Sequence, residues 1–248
     1  MRCRDGDVEA APLRRILVGT VLHVSAPVYG HKLNKSIAEG DDSRYRAEVK
    51  YEANDLRIGF EALAAVPRHL FMETSRVQGS AEEKLKAAYT YNKAMGATTA
   101  PSNESSPEII GAMLSLVKIE TGADVLLVGG KGGYIKSVVG QIVGINGKVV
   151  TASANPKILE ICKDRVKGSS PFTFSMQWMN VPSVQDVKTI RSTFEQFPKF
   201  HAIIYFRATA PLPIDLAPLL VSPGGSILAP LQISEGKLQF QMFVSGAD

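Results

Sequence analysis

The chain is poor in the residues that build metal centres and disulfide frameworks. Two cysteines, Cys3 and Cys162, in 248 residues exclude a disulfide-stapled scaffold and leave no thiolate cluster for a metal. The four histidines, His23, His31, His69 and His201, are scattered without ligand spacing, so no metal site is expected. No apolar run approaches the roughly 20 residues a membrane-spanning helix needs, so no membrane span is expected and the chain reads as soluble. The net charge is +4, yet no dense Lys/Arg block appears, and nucleic acid is not indicated as a partner. The first residues, MRCRDGDVEAAPLRRILVGTVLHV, combine arginines with an apolar run, but Asp5, Asp7 and Glu9 break the acid-poor pattern of organelle-targeting peptides. An intracellular protein is expected, its compartment left open.

What is present describes an ordinary globular body, 45% apolar and 21% charged, long enough for one domain with an appendage. The chain is organised around Asp124-Val-Leu-Leu-Val-Gly-Gly-Lys-Gly-Gly-Tyr134, an apolar run that stops in glycine. Such a run predicts a buried parallel strand, and residues 134–143 carry a helical pattern. Strand, glycine turn and helix together make a place for a nucleotide-like ligand, because glycine lets backbone approach it and the helix N-terminus offers free donors. Further strands are predicted at 148–153, 171–177, 202–208, 226–232 and 238–244, with helices at 155–166, 183–194 and 214–220. The last two strands are close enough for an antiparallel hairpin. Upstream, Pro107 opens a helix with Ile109, Ile110, Met113, Leu114 and Val117 on its apolar side. Residues 45–65 read as helices, and Ser80 opens another. Residues 92–106 form a long loop, and residues 13–40 an irregular or partly extended arm.

Several spaced segments resemble one family, the protein-L-isoaspartate O-methyltransferases. Val66-Pro-Arg-His-Leu-Phe71 looks like its VPRxxF segment, Tyr91 is placed like its tyrosine before the substrate loop, and Ser105-Ser-Pro107 is similar to its Ser-Ala-Pro motif. The stretch PEIIGAMLSLVKIETGADVLLVGG follows without a gap. Phe200-His-Ala-Ile-Ile204, Thr209-Ala-Pro211 and Leu220-Val-Ser-Pro-Gly-Gly225 look like its FDAII, AAAP and LKPGG segments. The resemblance covers residues 60–244. It implies an α/β fold: a doubly wound, mostly parallel sheet of the class I methyltransferase type, ending in an antiparallel hairpin. An N-terminal helical or extended extension (1–44) precedes the methyltransferase-like domain (45–248).

The resemblance also implies S-adenosylmethionine as cofactor, and the sequence departs from the family where that cofactor binds. The family's turn reads acid, apolar residue, GxGxG. Here Leu127 replaces the acid and Lys131 the middle glycine, leaving Gly129 and Gly133. The ribose-binding acid corresponds to Ser153, the Gly-Asp near the third strand falls within Ser175-Met-Gln-Trp178, and the Asp of FDAII is His201. Losing two carboxylate hydrogen bonds costs about 3–6 kcal/mol, at about 1.5–3 kcal/mol each. On the substrate side Ser105 is the one residue carried over, as a group positioning an isoaspartyl carboxylate or as the N-cap of the helix that Pro107 opens.

These residues support a family member that has lost S-adenosylmethionine binding and acts as a structural or assembly subunit, with protein partners docking through residues 1–44 and no cofactor. The alternative is an active carboxyl O-methyltransferase using Ser105 and a cofactor held by Gly129, Lys131, Gly133 and Ser153. A minor alternative is a nucleotide-binding protein, because Lys131-Gly-Gly-Tyr-Ile-Lys-Ser137 resembles the phosphate loop KGGxGK[ST] without the glycine before its second lysine.

Overall fold

A computed structural model describes residues 22–25, 62–63, 65–66, 68–71, 80, 110, 113–114, 116–130, 132–169, 175–206, 213–234 and 237–246. Its centre is a seven-stranded sheet in the order β1-β7-β6-β5-β2-β3-β4. The strands are β1 (Leu22–Ser25), β2 (Asp124–Val128), β3 (Lys148–Ser153), β4 (Ser175–Asn180), β5 (Ala202–Tyr205), β6 (Ser226–Ser234) and β7 (Lys237–Val244). Strands β2 to β6 run parallel to one another, while β7 is antiparallel to both β6 and β1. The helices are α1 (Tyr134–Val143), α2 (Pro156–Ser169) and α3 (Val187–Phe194), with 3₁₀ turns at Arg68–Phe71 and Ile214–Leu219.

Alternation along the central strands explains why both faces must be covered. On β2, Val125 and Leu127 enter one core while Leu126 and Val128 enter the other, and on β5 Ala202 and Ile204 oppose Ile203 and Tyr205 in the same way. Tyr134, Ile135, Val138 and Val139 of α1 fill the first core with Ile110, Met113, Leu114 and Val117, the stripe expected after Pro107. Ile190 and Phe194 of α3 fill the second, together with Leu216 and Leu219. This is the doubly wound fold that the order of elements predicts.

Several boundaries differ from the sequence expectation. Residues 183–186 are a capping turn rather than helix: Ser183 Oγ accepts from the Gln185 and Asp186 backbone N–H groups, and Asp186 caps α3 by accepting from Lys188 N at 3.0 Å. The segment at 214–220 is a 3₁₀ turn, with Pro218 inside it. Strand β4 runs on to Asn180, beyond the expected end at 177.

The N-terminal arm also meets the sheet. Leu22 to Ser25 lie opposite Phe240 to Lys237, so β1 and not the C-terminal hairpin forms this edge. The helix expected after Ser80, Tyr91, and the segments at 105–107 and 209–211 lie outside the described residues.

Candidate functional site

The parallel strands wind outward from β2 through β3 to β4, then cross back to β5 on the other side of β2. The winding reverses between β2 and β5, and the crevice outside the carboxyl ends of the strands at such a switch point is where open α/β sheets bind ligands. The glycine turn lies there. Gly129 (φ 81°) donates to Ala152 O at 2.9 Å, which continues the β2–β3 pairing one residue past the strand. Gly133 is the N-cap of α1 at φ 108°, where a side chain would be strained; a Cβ there would sit 3.4 Å from Phe71 Cδ1 and Val166 Cγ2.

The segment 66–71 is held against this turn. Tyr134 donates from its hydroxyl to Leu63 O at 3.3 Å, its ring lies 5.8 Å from Phe71 and beneath the Arg68 guanidinium, and Arg165 of α2 donates to Phe71 O at 2.9 Å. The VPRHLF motif thus braces the first turn of α1 against α2.

The candidate residues fare differently. Gly129, Gly133 and Ser153 all lie at the carboxyl end of the sheet, as expected. Ser105 and Lys131 lie outside the described residues. Ser153 is buried at the end of β3, and its hydroxyl is held locally: it accepts from Asn155 N at 3.2 Å in the turn that Asn155 continues by capping α2. Leu127 is fully buried among apolar neighbours of the first core.

Two positions assigned to the pocket lie elsewhere. His201 precedes β5 at the opposite, amino end of the sheet, where its Nδ1 accepts from Asp124 N at 3.0 Å. One strand length separates it from the crevice, so its replacement of the family's Asp does not bear on ligand binding there. Residues 175–178 lie within β4, and the strand's carboxyl end is Asn180, followed by Val181 and Pro182. The substitution of a carboxylate therefore persists at this end, but with Asn180 as its polar group.

Sequence reasoning weighed Lys136 only as part of a phosphate loop, and the structure makes it the site's most distinctive group. It lies in the first turn of α1 with 0% exposure, and its Nζ has no hydrogen-bond partner among the described residues. A helical side chain leans toward its own N-terminus. Accordingly the amine lies 3.2 Å from where a Cβ on Gly130 would stand, beside the Phe206 ring that follows β5. No side chain caps α1 and no acidic residue occupies its first turn. Among the described residues no cluster of His, Cys, Asp or Glu could hold a metal, and no helix is long and apolar enough to cross a membrane.

These groups do not match a sulfonium cofactor. Its ribose acid is replaced by a serine already engaged, and a buried lysine amine stands at the helix N-terminus.

The family and the fold are nevertheless unambiguous. Residues 48–247 match the protein-L-isoaspartate(D-aspartate) O-methyltransferase family. The chain is 30% identical over 172 residues to a protein-L-isoaspartate O-methyltransferase of Methanococcus maripaludis, covering 69% of this chain and 71% of that one. It is 27% identical over 119 residues to the Methanococcoides burtonii protein of the same name, a match spanning 48% of this chain and only 53% of that protein. Among solved structures, a Plasmodium falciparum protein described as a protein-L-isoaspartate O-methyltransferase in complex with S-adenosyl-L-homocysteine superposes with a TM-score of 0.58 at 12% identity, covering 88% of this chain and 98% of that one. A second protein-L-isoaspartate O-methyltransferase superposes with a TM-score of 0.55 at 19% identity, over 87% of this chain and 60% of that one. The chain belongs to the protein-L-isoaspartate O-methyltransferase family.

Proposed function

We propose that this chain is a family member that has given up S-adenosylmethionine binding and serves as a structural or assembly subunit of a larger complex. The observation that carries the reading is the fully buried Lys136 amine at the N-terminus of α1, beside Gly130 and Phe206. A sulfonium cofactor would meet a buried lysine amine there and find no carboxylate at Ser153 or Asn180 to pair with. Leu127 adds to this, because its side chain is part of the core.

In this reading the N-terminal extension is the docking segment, with Leu22–Ser25 anchoring it along β7. Removal of residues 1–40 from the full chain then releases co-purifying proteins. Partners retained by the shortened chain, together with a large fall in thermal midpoint, would assign the arm to the fold alone.

A second reading, an active protein carboxyl O-methyltransferase, is favoured by the family match and by the intact Gly129 and Gly133. Transfer of labelled methyl groups from S-adenosylmethionine to an isoaspartyl peptide separates the two. The subunit reading predicts no transfer above a no-protein control, and turnover would refute it.

A further inference from the structure

A lysine that merely plugged a disused crevice would need only its four-carbon stem, which methionine or leucine supplies without burying an amine. Here the amine itself is carried to the carboxyl end of the sheet and left with no partner among the described residues. The surroundings share its sign. The first-turn N–H groups of α1 have no capping side chain, Gly132 and Gly133 both take positive φ, and no acid stands in that turn. Ser137, the next residue on the helix, likewise buries its hydroxyl without a hydrogen-bond partner among the described residues. Backbone donors at a helix N-terminus and a lysine reaching back to them are the elements that hold phosphoryl oxygens. Lys136 and Ser137 are also the last two residues of the KGGYIKS segment.

We propose that the crevice has changed the sign of its ligand: it takes a phosphoryl anion, anchored by Lys136 and the N-terminal N–H groups of α1. The inference rests on the reading above, in which the cationic cofactor no longer binds there. Free phosphate and the phosphates of a nucleotide share this chemistry.

The full chain is titrated calorimetrically in phosphate-free buffer with inorganic phosphate, pyrophosphate and ADP, and separately with S-adenosylmethionine. Saturable binding of at least one phosphoryl probe is expected. ADP binding more tightly than the inorganic probes assigns the site to a nucleotide, and equal or weaker binding assigns it to the free anion. Lys136→Met weakens the binding by on the order of tenfold to a hundredfold, as loss of a charge-assisted hydrogen bond does, while Lys136→Arg largely preserves it. Gly130→Ala, which sets a methyl 3.0 Å from Phe206 Cδ2 and 3.2 Å from the Lys136 amine and so displaces that amine or the ring beside it, weakens it without removing the lysine.

No saturable binding of any phosphoryl probe to the wild type would overturn the proposal, as would undiminished binding by a folded Lys136→Met protein. Should that variant fail to fold, undiminished binding by Gly130→Ala would overturn it instead. The parallel titration separates the two claims: S-adenosylmethionine binding refutes the loss of cofactor, whereas absence of both ligands refutes the anion site alone.

Discussion

Lys136→Met should make this protein more stable. Methionine keeps the unbranched stem and nearly the same volume, so packing among the neighbours of α1 is retained while the buried amine is removed. The amine is fully buried and has no hydrogen-bond partner among the described residues, so folding strips its hydration with no return from them. An unsatisfied buried polar group costs about 1–3 kcal/mol, and a charged one more. For a chain of this size each kcal/mol moves the thermal midpoint by about 2–4 °C, which gives a rise of about 2–12 °C. The assay is thermal unfolding followed by circular dichroism in low-salt, phosphate-free buffer. Added phosphate should narrow the gap, because an anion bound by the folded wild type stabilises it in proportion to ligand excess over the dissociation constant. A lower midpoint for the methionine variant would refute the reasoning, since it would mean that the amine is satisfied in the folded protein.

Gly133→Ala should destabilise by about 1–2 kcal/mol, because the N-cap of α1 sits at φ 108° where an L side chain is strained; an unchanged denaturation midpoint would contradict the assigned turn. Leu127→Glu, which restores the family's acid, should cost about 3–5 kcal/mol by placing an unpaired carboxylate in the core, and recovered S-adenosylmethionine binding by a stable variant would show that the pocket is only weakened. The Asp186 carboxyl is held below its ordinary value by the Thr189 hydroxyl and, to a lesser extent, by the backbone N–H groups of Lys188 and Thr189. Its folded value is the lower one, so its contribution is present above the ordinary carboxylate value and lost as pH falls below that value through the depressed folded one. Asp186→Asn should therefore flatten this part of the acid side of the stability profile, read from thermal midpoints at descending pH; an unaltered slope would remove Asp186 from the account.

Much of the fold is legible in the sequence because it is written in periodicity. Asp124–Val128 and Tyr134–Val143 end where glycine or a change of period ends them, and the alternating residues of β2 and β5 divide between two cores as strand geometry requires. The misses have physical causes. Ser183 and Asp186 continue the helical composition of α3, yet their side chains compete for backbone donors and make a cap instead. The sequence shows Ser153 where an acid is expected, but not that its hydroxyl is committed to the Asn155 turn. His201 falls in a family-like segment, and only strand direction reveals that it stands at the far end of the sheet. Lys136 is the most instructive case. A lysine on an otherwise apolar helix face is visible in the sequence, whereas its burial and the placement of its amine beside Gly130 and Phe206 come from the packing of two strands and a helix.

The central claim, a methyltransferase fold closed to its family's cofactor, is tested most directly by calorimetric titration of the purified full chain with S-adenosylmethionine and S-adenosylhomocysteine. The account predicts no saturable binding of S-adenosylmethionine up to about a millimolar, a threshold of about 4 kcal/mol. Its demethylated product lacks the sulfonium but needs the same ribose carboxylate, and should also fail to saturate. A micromolar isotherm with either ligand would contradict the account.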